Sequence, residues 1–183
     1  SMIASLPQFR PGVLAGAALL AAALPTTEAT GAGSRPVVVV DPGHDLRANP
    51  ATEPIGPGSA VRKIKDGGGT RGVVTGVREA DLVLDVSLRL RRLLERAGVR
   101  VVMTRTTTAG TSIGNVARAT VANRARAALF LRVHAAGHPD PAARGTHTLL
   151  PAPHVGWTDD VLPRSRRAAE LVQAERVRAL RFP

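Results

Sequence analysis

VVVVDPGH, residues 37–44, decides how this chain is organised. Four consecutive valines, bounded by Pro36 and by the turn-forming sequence after Val40, are typical of a buried β-strand. A histidine at position 44 follows directly on this turn-forming sequence. We therefore predict a buried first strand that delivers His44 to its carboxyl end.

Downstream of this strand, helical and extended patterns alternate. From Glu79 the hydrophobic residues recur with a helical period and arginines occupy the other face, until Gly98 ends the pattern. The apolar face consists of Leu82, Val86, Leu90, Leu93, Leu94 and Ala97. The later segments are a strand at 99–104, a helix at 115–127, strands at 128–133 and 145–150, and an amphipathic helix at 164–180. This alternation predicts an α/β fold, an open and mostly parallel sheet with helices on both faces.

Residues 42–78 fit neither pattern. Glycine and proline are frequent there and no hydrophobic period is visible, which predicts a long loop that is either functional or not ordered. The glycines at 67–69 follow no apolar strand that would make them a phosphate cradle. We interpret them as a flexible flap.

The composition limits the classes of protein to consider. The 183 residues suffice for one domain with tails, and the absence of cysteine excludes disulfides and thiolate metal sites. The formal net charge of +11 favours anionic partners such as acidic wall polymers, anionic lipid or DNA. Its arginines are dispersed, however, which is typical of a solvated basic surface. A nucleic-acid-binding protein is the weaker alternative, because aromatic residues for base stacking are few.

Residues 1–33 have the features of an export signal. Arg10 precedes an apolar run at 12–24 that is too short to span a bilayer but matches the core of a secretory signal. We place its cleavage between Ala29 and Gly33; the alternative is a short alanine-rich core helix. The prediction is a secreted or periplasmic protein of the cell wall, with no stable membrane span after processing.

Three residues with metal-binding side chains are predicted at one edge of the sheet. His44 follows the first strand, His134 follows the strand at 128–133, and Glu79 opens the first helix. The carboxyl ends of parallel strands meet at one edge, where ligands bind. Two imidazoles and a carboxylate suit Zn²⁺ and leave a fourth position for water. The residues alone leave the alternative that Glu79 caps its helix and that both histidines are hydrogen-bonded loop residues.

Three segments, taken in order, add a more specific indication. They are VVVVDPGH at 37–44, READLVLDVSLRLRRLLERAGVRVVMTR at 78–105 and RATVANRARAALFLRVHA at 118–135. Together they resemble the zinc-dependent N-acetylmuramoyl-L-alanine amidases (Amidase_3-like), a cell-wall amidase family with a zinc-peptidase-like fold. The resemblance extends from about Val37 to Leu150.

This resemblance implies a site and a reaction. His44, Glu79 and His134 would ligate Zn²⁺, and the activated water would hydrolyse the amide between the lactyl group of N-acetylmuramic acid and L-alanine of the stem peptide. The implied partner is peptidoglycan and the cofactor is Zn²⁺. We expect no nucleic-acid partner, and we expect a monomer.

The chain departs from the family at one functional position. The family places a catalytic glutamate in a late strand that reads roughly V-E-x-G, and no such segment precedes Pro183. Glu170 and Glu175 lie in the arginine-rich last helix and do not match it. We therefore expect 34–183 to be an amidase catalytic domain without its C-terminal strand and helix. The alternative is a non-catalytic, zinc-containing cell-wall-binding module that lacks the general base.

Two further residues are candidates for supporting roles. Arg132 is predicted on the same side of its strand as His134 and is a candidate for binding a substrate carboxylate, with a surface arginine as the alternative. Asp41 is a candidate to orient His44 by a hydrogen bond to its imidazole, with a turn residue before Pro42 as the alternative. The remaining histidines, at 138, 147 and 154, are assigned surface or structural roles.

Overall fold

A computed structural model describes residues 35–110, 113–140 and 142–180. The leader predicted over 1–33 lies outside these residues. Two compact units are present, one that includes residues 35–143 and one that includes residues 144–180. Among the described residues, no helix is both long and apolar enough to cross a membrane.

Within the residues that the structure describes, the first unit contains five strands and two helices, and the second contains one helix. In chain order they are β1 (Val37–Pro42), β2 (Asn49–Pro54), β3 (Arg62–Asp66), α1 (Glu79–Arg96), β4 (Arg100–Met103), α2 (Asn115–Arg124), β5 (Leu129–Val133) and, in the second unit, α3 (Leu162–Leu180). The three strands and three helices predicted at these places are confirmed, with ends that differ by a few residues.

Strand β1 is the centre of a parallel sheet whose order is β4-β1-β5. Val38, Val39 and Val40 are all buried, although successive side chains of a strand point to opposite faces. Both faces of β1 are therefore covered, and helices α1 and α2 pack against it. The predicted fold class, a mostly parallel sheet covered by helices, is confirmed.

Helix α1 forms where it was predicted, but its buried stripe is different. The buried residues are Glu79, Ala80, Val83, Ser87 and Leu94, which follow the 3.6-residue period, whereas Leu82 and Val86 are 45% and 39% exposed. Ala80 and Ser87 are small and permit a close approach of the helix to the sheet. The same buried stripe includes Glu79, so the first residue of the helix points inward. The helix ends where Gly98 adopts φ 83°, the left-handed conformation that glycine accommodates best.

The prediction of one long loop over 42–78 is wrong in its middle. Strands β2 and β3 pair there as an antiparallel hairpin. Its inward-facing groups include the carboxylates of Glu53 and Asp66, 4% and 7% exposed, while Ile64 is largely exposed. Hydrophobic periodicity cannot detect a hairpin whose buried side chains are charged.

The strand predicted at 145–150 is also wrong. The segment is irregular and is held by side-chain hydrogen bonds from α3 in the same unit. Gln173 donates to the carbonyl of Thr146 and accepts from the hydroxyl of Thr148, and Arg176 donates to the carbonyl of His147. Side-chain amide and guanidinium groups thus satisfy backbone carbonyls that a sheet partner would otherwise satisfy.

Candidate metal centre

The parallel pairing of β1 and β5 brings two histidines together. Pro42 is in register with Val133, and the amide of Gly43 donates to the carbonyl of Val133 at 2.9 Å. His44 and His134 follow directly, with ring centroids 4.7 Å apart and the rings nearly perpendicular. The carboxyl edge of the sheet therefore holds both predicted imidazoles.

Glu79, the first residue of α1, completes the group. Its Oε1 lies 3.0 Å from Nδ1 of His134 and 3.6 Å from Nε2 of His44. One donor atom from each of the three residues lies within 4.8 Å of the others. Within the described ranges this is the one group of three or more histidine and acidic side chains close enough to hold a metal ion.

The Glu79 carboxylate is fixed by donors on both of its oxygens. Oε1 accepts from the amide of Ala135, and Oε2 accepts from the amide and the hydroxyl of Thr70. Burial raises the pKa of Glu79, but these hydrogen bonds, together with the contact to His134, outweigh it and hold the pKa below its ordinary value. The site thus contains a carboxylate that is ionised at neutral pH.

His44 adopts a backbone conformation that is unusual for a residue with a side chain. Its φ is 56°, in the left-handed region. Its Nδ1 lies 2.7 Å from Oδ1 of Asp66, a residue of β3. With Nδ1 engaged in this way, Nε2 is the nitrogen that faces Glu79.

Two glycines form the walls behind the imidazoles. A Cβ atom at Gly43 would overlap the ring of His134, and a Cβ atom at Gly69 would stand 3.0 Å from the ring of His44 and 3.2 Å from Oε2 of Glu79. Gly69 also has φ 71°. Gly69, the last residue of the glycine run, is therefore close-packed at the site, a packing role that our interpretation of the run as a flexible flap did not include.

The donor set fits zinc in number and chemistry. Four ligands at about 2.0 Å in a tetrahedron lie about 3.3 Å from one another. The distances of 3.0 and 3.6 Å from Oε1 of Glu79 to the two imidazole nitrogens bracket that value. Two neutral nitrogens and one carboxylate oxygen leave a fourth position, as catalytic zinc sites do.

Two buried arginines, which sequence reasoning missed, connect the segments that carry the donors. Arg105 donates to the carbonyls of Gly43 and Ala80, the residues next to His44 and Glu79, at 2.8 Å each. Arg118 donates to the carbonyl of His44 at 3.1 Å. Both side chains are nearly inaccessible to solvent. A guanidinium has five donors in a fixed plane, which suits it to hold several carbonyls at once.

Asp41 does not take the position predicted for it. Its carboxylate accepts from the hydroxyl of Thr104 and pairs with Arg118 and Arg132, each at 2.5 Å. Nδ1 of His44 contacts Asp66 instead. The Asp41 side chain lies among the arginines, so it does not orient His44 directly.

Arg132 is held by protein groups. Its Nε donates to Asp41 and one terminal nitrogen donates to the side-chain oxygen of Asn115 at 2.6 Å. The arginine nevertheless borders a cleft of about 270 Å³ beside the two histidines. Lys63 and Lys65, from the hairpin, border the same cleft. The wall next to the donor group is therefore cationic, and a role for Arg132 toward substrate stays a prediction.

The other residues considered from sequence are not part of this group. His138, His147 and His154 do not belong to the donor group. Glu170 and Glu175 are in α3, and Glu175 forms an ion pair with Arg178.

Fold and donor group together define the class: an α/β protein with a His-Glu-His site at the carboxyl edge of a parallel sheet. Residues 38–183 match the family model Amidase_3, N-acetylmuramoyl-L-alanine amidase. The chain belongs to this family.

Two solved amidase structures are similar to this chain, in agreement with the family match. The crystal structure of the N-acetylmuramyl-L-alanine amidase Ami1 from Mycobacterium smegmatis is similar, with 29% identity and a TM-score of 0.52 over 58% of this chain and 50% of that one. The apo form of Ami1 from Mycobacterium abscessus gives 28% identity and a TM-score of 0.52, over 57% and 49% of the two chains. The chain thus matches about half the length of each. No curated protein matches it.

Proposed function

We propose that this protein is a zinc-dependent N-acetylmuramoyl-L-alanine amidase. It hydrolyses the amide between the lactyl group of N-acetylmuramic acid and L-alanine of the stem peptide in peptidoglycan. The observation that carries this proposal is the convergence of His44, Glu79 and His134 within 4.8 Å in a member of the amidase family.

In this proposal the three side chains hold Zn²⁺, which supplies an activated water and polarises the scissile carbonyl. Glu79 offers a carboxylate that is ionised and already oriented by Thr70 and Ala135. His44 offers Nε2 because Nδ1 is engaged by Asp66. Lys63 and Lys65 supply positive charge along the cleft, where the carboxylates of a stem peptide would lie. The proposal also takes 34–183 as the catalytic domain and 1–33 as an export leader, and with them a location in the cell wall, which the amidase family supports.

A second candidate function is a zinc-containing cell-wall-binding module without hydrolytic activity. The hydrogen bonding of the carboxylates at the site favours it. Asp66 and Glu79 each accept three or more hydrogen bonds from fixed neighbours, so neither is free to move a proton between water and a leaving amine. Cleavage of an amide requires such a general acid and base.

Digestion of purified peptidoglycan separates the two functions. We would incubate sacculi with the chain as purified, with added zinc, and with EDTA, and identify released stem peptides by their new L-alanine amino termini. The variant is Glu79→Gln, and its matched control is Glu95→Gln, an exposed glutamate of the same helix. Release that requires zinc and Glu79 but not Glu95 supports the amidase.

The contrary results are equally specific. Bound zinc and co-sedimentation with sacculi, without peptide release, would establish the binding module. Failure of the chain to bind zinc at all, or binding that Glu79→Gln leaves unchanged, would contradict both functions.

A further inference from the structure

We propose that Asp66 is a positioning residue of the metal centre: it holds His44 with its proton on Nδ1 and its Nε2 free for the metal. The inference rests on the proposed function only in taking His44 as a metal ligand. It also makes the β2–β3 hairpin, which carries Asp66, a part of the centre.

Three contacts fix the Asp66 carboxylate. Oδ1 lies 2.7 Å from Nδ1 of His44 and accepts from the amide of Gly68 at 2.9 Å, while Oδ2 accepts from the amide of Asp45 at 2.8 Å. The side chain is 4% exposed. Two of these three contacts go to His44 and to the residue after it. The carboxylate therefore fixes the segment around His44, and none of the three contacts goes to another residue of its own hairpin.

The two backbone amides identify the carboxylate as an acceptor on both oxygens. An ionised carboxylate in this position has no proton to give, which makes Nδ1 of His44 the donor in their contact. A neutral imidazole with its proton on Nδ1 carries its lone pair on Nε2. That nitrogen faces Oε1 of Glu79 at 3.6 Å. Two acceptor atoms that face each other at this distance are compatible with a cation between them.

Asp66 also supports the backbone of His44. Non-glycine residues seldom adopt a positive φ, and they do so where neighbouring structure holds them. Here the carboxylate binds the side chain of His44 through one oxygen and the next amide of the chain through the other. Removing it would release both restraints, and the imidazole would no longer be fixed in the direction of Glu79.

The first test uses the unaltered, metal-free protein. Long-range proton–nitrogen correlation spectra of the histidine rings at about pH 8, above the ordinary histidine pKa of about 6.5, report which nitrogen carries the proton. The His44 signals are identified by their loss in His44→Gln. We expect the proton on Nδ1; a proton on Nε2, or a mixture of the two forms, overturns the inference.

The second test is the zinc affinity of Asp66→Asn, measured by competition with a chromophoric chelator. Asparagine keeps the shape but places an NH₂ group against the amide of Asp45 or the ring of His44. Loss of a carboxylate that orients a metal-bound histidine weakens binding roughly 10- to 100-fold. The matched control is Asp85→Asn, which removes an exposed carboxylate of α1 and should change the affinity by less than about twofold.

A purely structural role gives a different pattern. In that case Asp66→Asn would lower the melting temperature of the metal-free protein while the zinc affinity and the visible spectrum of the Co²⁺-substituted site stayed those of the unaltered protein. That outcome overturns the inference, and if the variant does not fold, the ring spectra of the unaltered protein decide. If the unaltered protein binds no zinc, the proposed function fails, while the ring spectra still decide the role of Asp66.

Discussion

The parallel sheet and the β2–β3 hairpin lie side by side in one unit and are stabilised by different forces. The sheet is stabilised by apolar burial: Val38, Val39 and Val40 are inaccessible to solvent, as is Leu94 of α1. The hairpin buries charge. Its Glu53 and Asp66 each accept several hydrogen bonds from groups in other segments.

The difference has a physical consequence for each region. The free energy of apolar burial is proportional to the buried area and does not depend on direction. It therefore holds a strand in the core without setting the position of any single atom. A buried carboxylate is stable only when donors meet its oxygens, so each one fixes the groups around it. The two regions therefore differ in what a substitution disturbs: a volume of packed side chains in the sheet, and a set of directed hydrogen bonds in the hairpin.

The largest destabilisation is expected at Arg118 of α2, which contacts β1 and the segment that follows it. Its guanidinium pairs with Asp41 of β1 and with Asp45, and Arg118→Leu would leave both carboxylates buried with fewer partners. Burial already raises the pKa of Asp45, although Arg118 opposes that shift. We expect a loss of about 3 to 5 kcal/mol in the free energy of unfolding, measured by urea titration.

The second prediction concerns the apolar region alone. Leu94 has no exposed surface, and Leu94→Ala should cost about 2 to 5 kcal/mol in a urea titration because it leaves a cavity in close-packed surroundings. Leu82→Ala, at a 45% exposed position of the same helix, is the control and should cost far less. Equal losses at the two positions would show that the buried stripe of α1 is the one predicted from sequence.

The third prediction concerns the hairpin and has a pH dependence. Glu53 accepts from the amides of Asn115 and Val116, and thereby caps α2, whose N-cap residue Gly114 has no side chain for this purpose. Burial raises the pKa of Glu53, but hydrogen bonds from the side chain of Asn115 and from these amides outweigh it and lower the pKa below its ordinary value. Glu53→Gln should cost about 1 to 2 kcal/mol at neutral pH, since it removes the charge from these hydrogen bonds.

The sign of this pH effect follows from the lowered pKa. The stabilisation by Glu53 is fully present above the pKa of the unfolded chain and is lost as pH falls through the lower pKa of the folded protein. Unfolding titrations at a series of acidic pH values should therefore show the difference between Glu53→Gln and the unaltered protein shrinking toward zero. A difference that stays constant down to the lowest accessible pH would contradict the assigned charge.

The smallest effect is expected at an exposed ion pair. Asp85 and Arg89 lie one turn apart on α1 with a contact of 3.0 Å, and both side chains are at least half exposed. Asp85→Asn should change the free energy of unfolding by about 0.3 to 0.5 kcal/mol, and added salt should reduce the difference further. A loss in the free energy of unfolding as large as that of Glu53→Gln would mean that the exposed Asp85 carboxylate stabilises the fold as much as the buried Glu53 carboxylate does.

The accuracy of prediction from sequence follows the same division. Strands β1, β4 and β5 were predicted because short runs of apolar residues are recognisable, and β-branched residues reinforce the signal in β1 and β4. His44 and His134 were placed by the ends of two of these strands and Glu79 by the start of α1, and the family resemblance implied their role as ligands. The hairpin was missed because its buried side chains are charged and most of its partners are distant in sequence. Asp66 is 22 residues from His44, and no local spacing relates them. Asp41 was considered because carboxylates commonly orient metal-bound imidazoles, but that rule does not give the direction of its side chain.

The glycine walls of the metal centre have a consequence for which substitutions the site tolerates. Gly43 and Gly69 place main chain, which has no rotamers, behind the two imidazole rings. On that face neither ring meets a side chain that could change its rotamer. Any larger residue at position 43 or 69 would therefore have to displace an imidazole or the main chain itself.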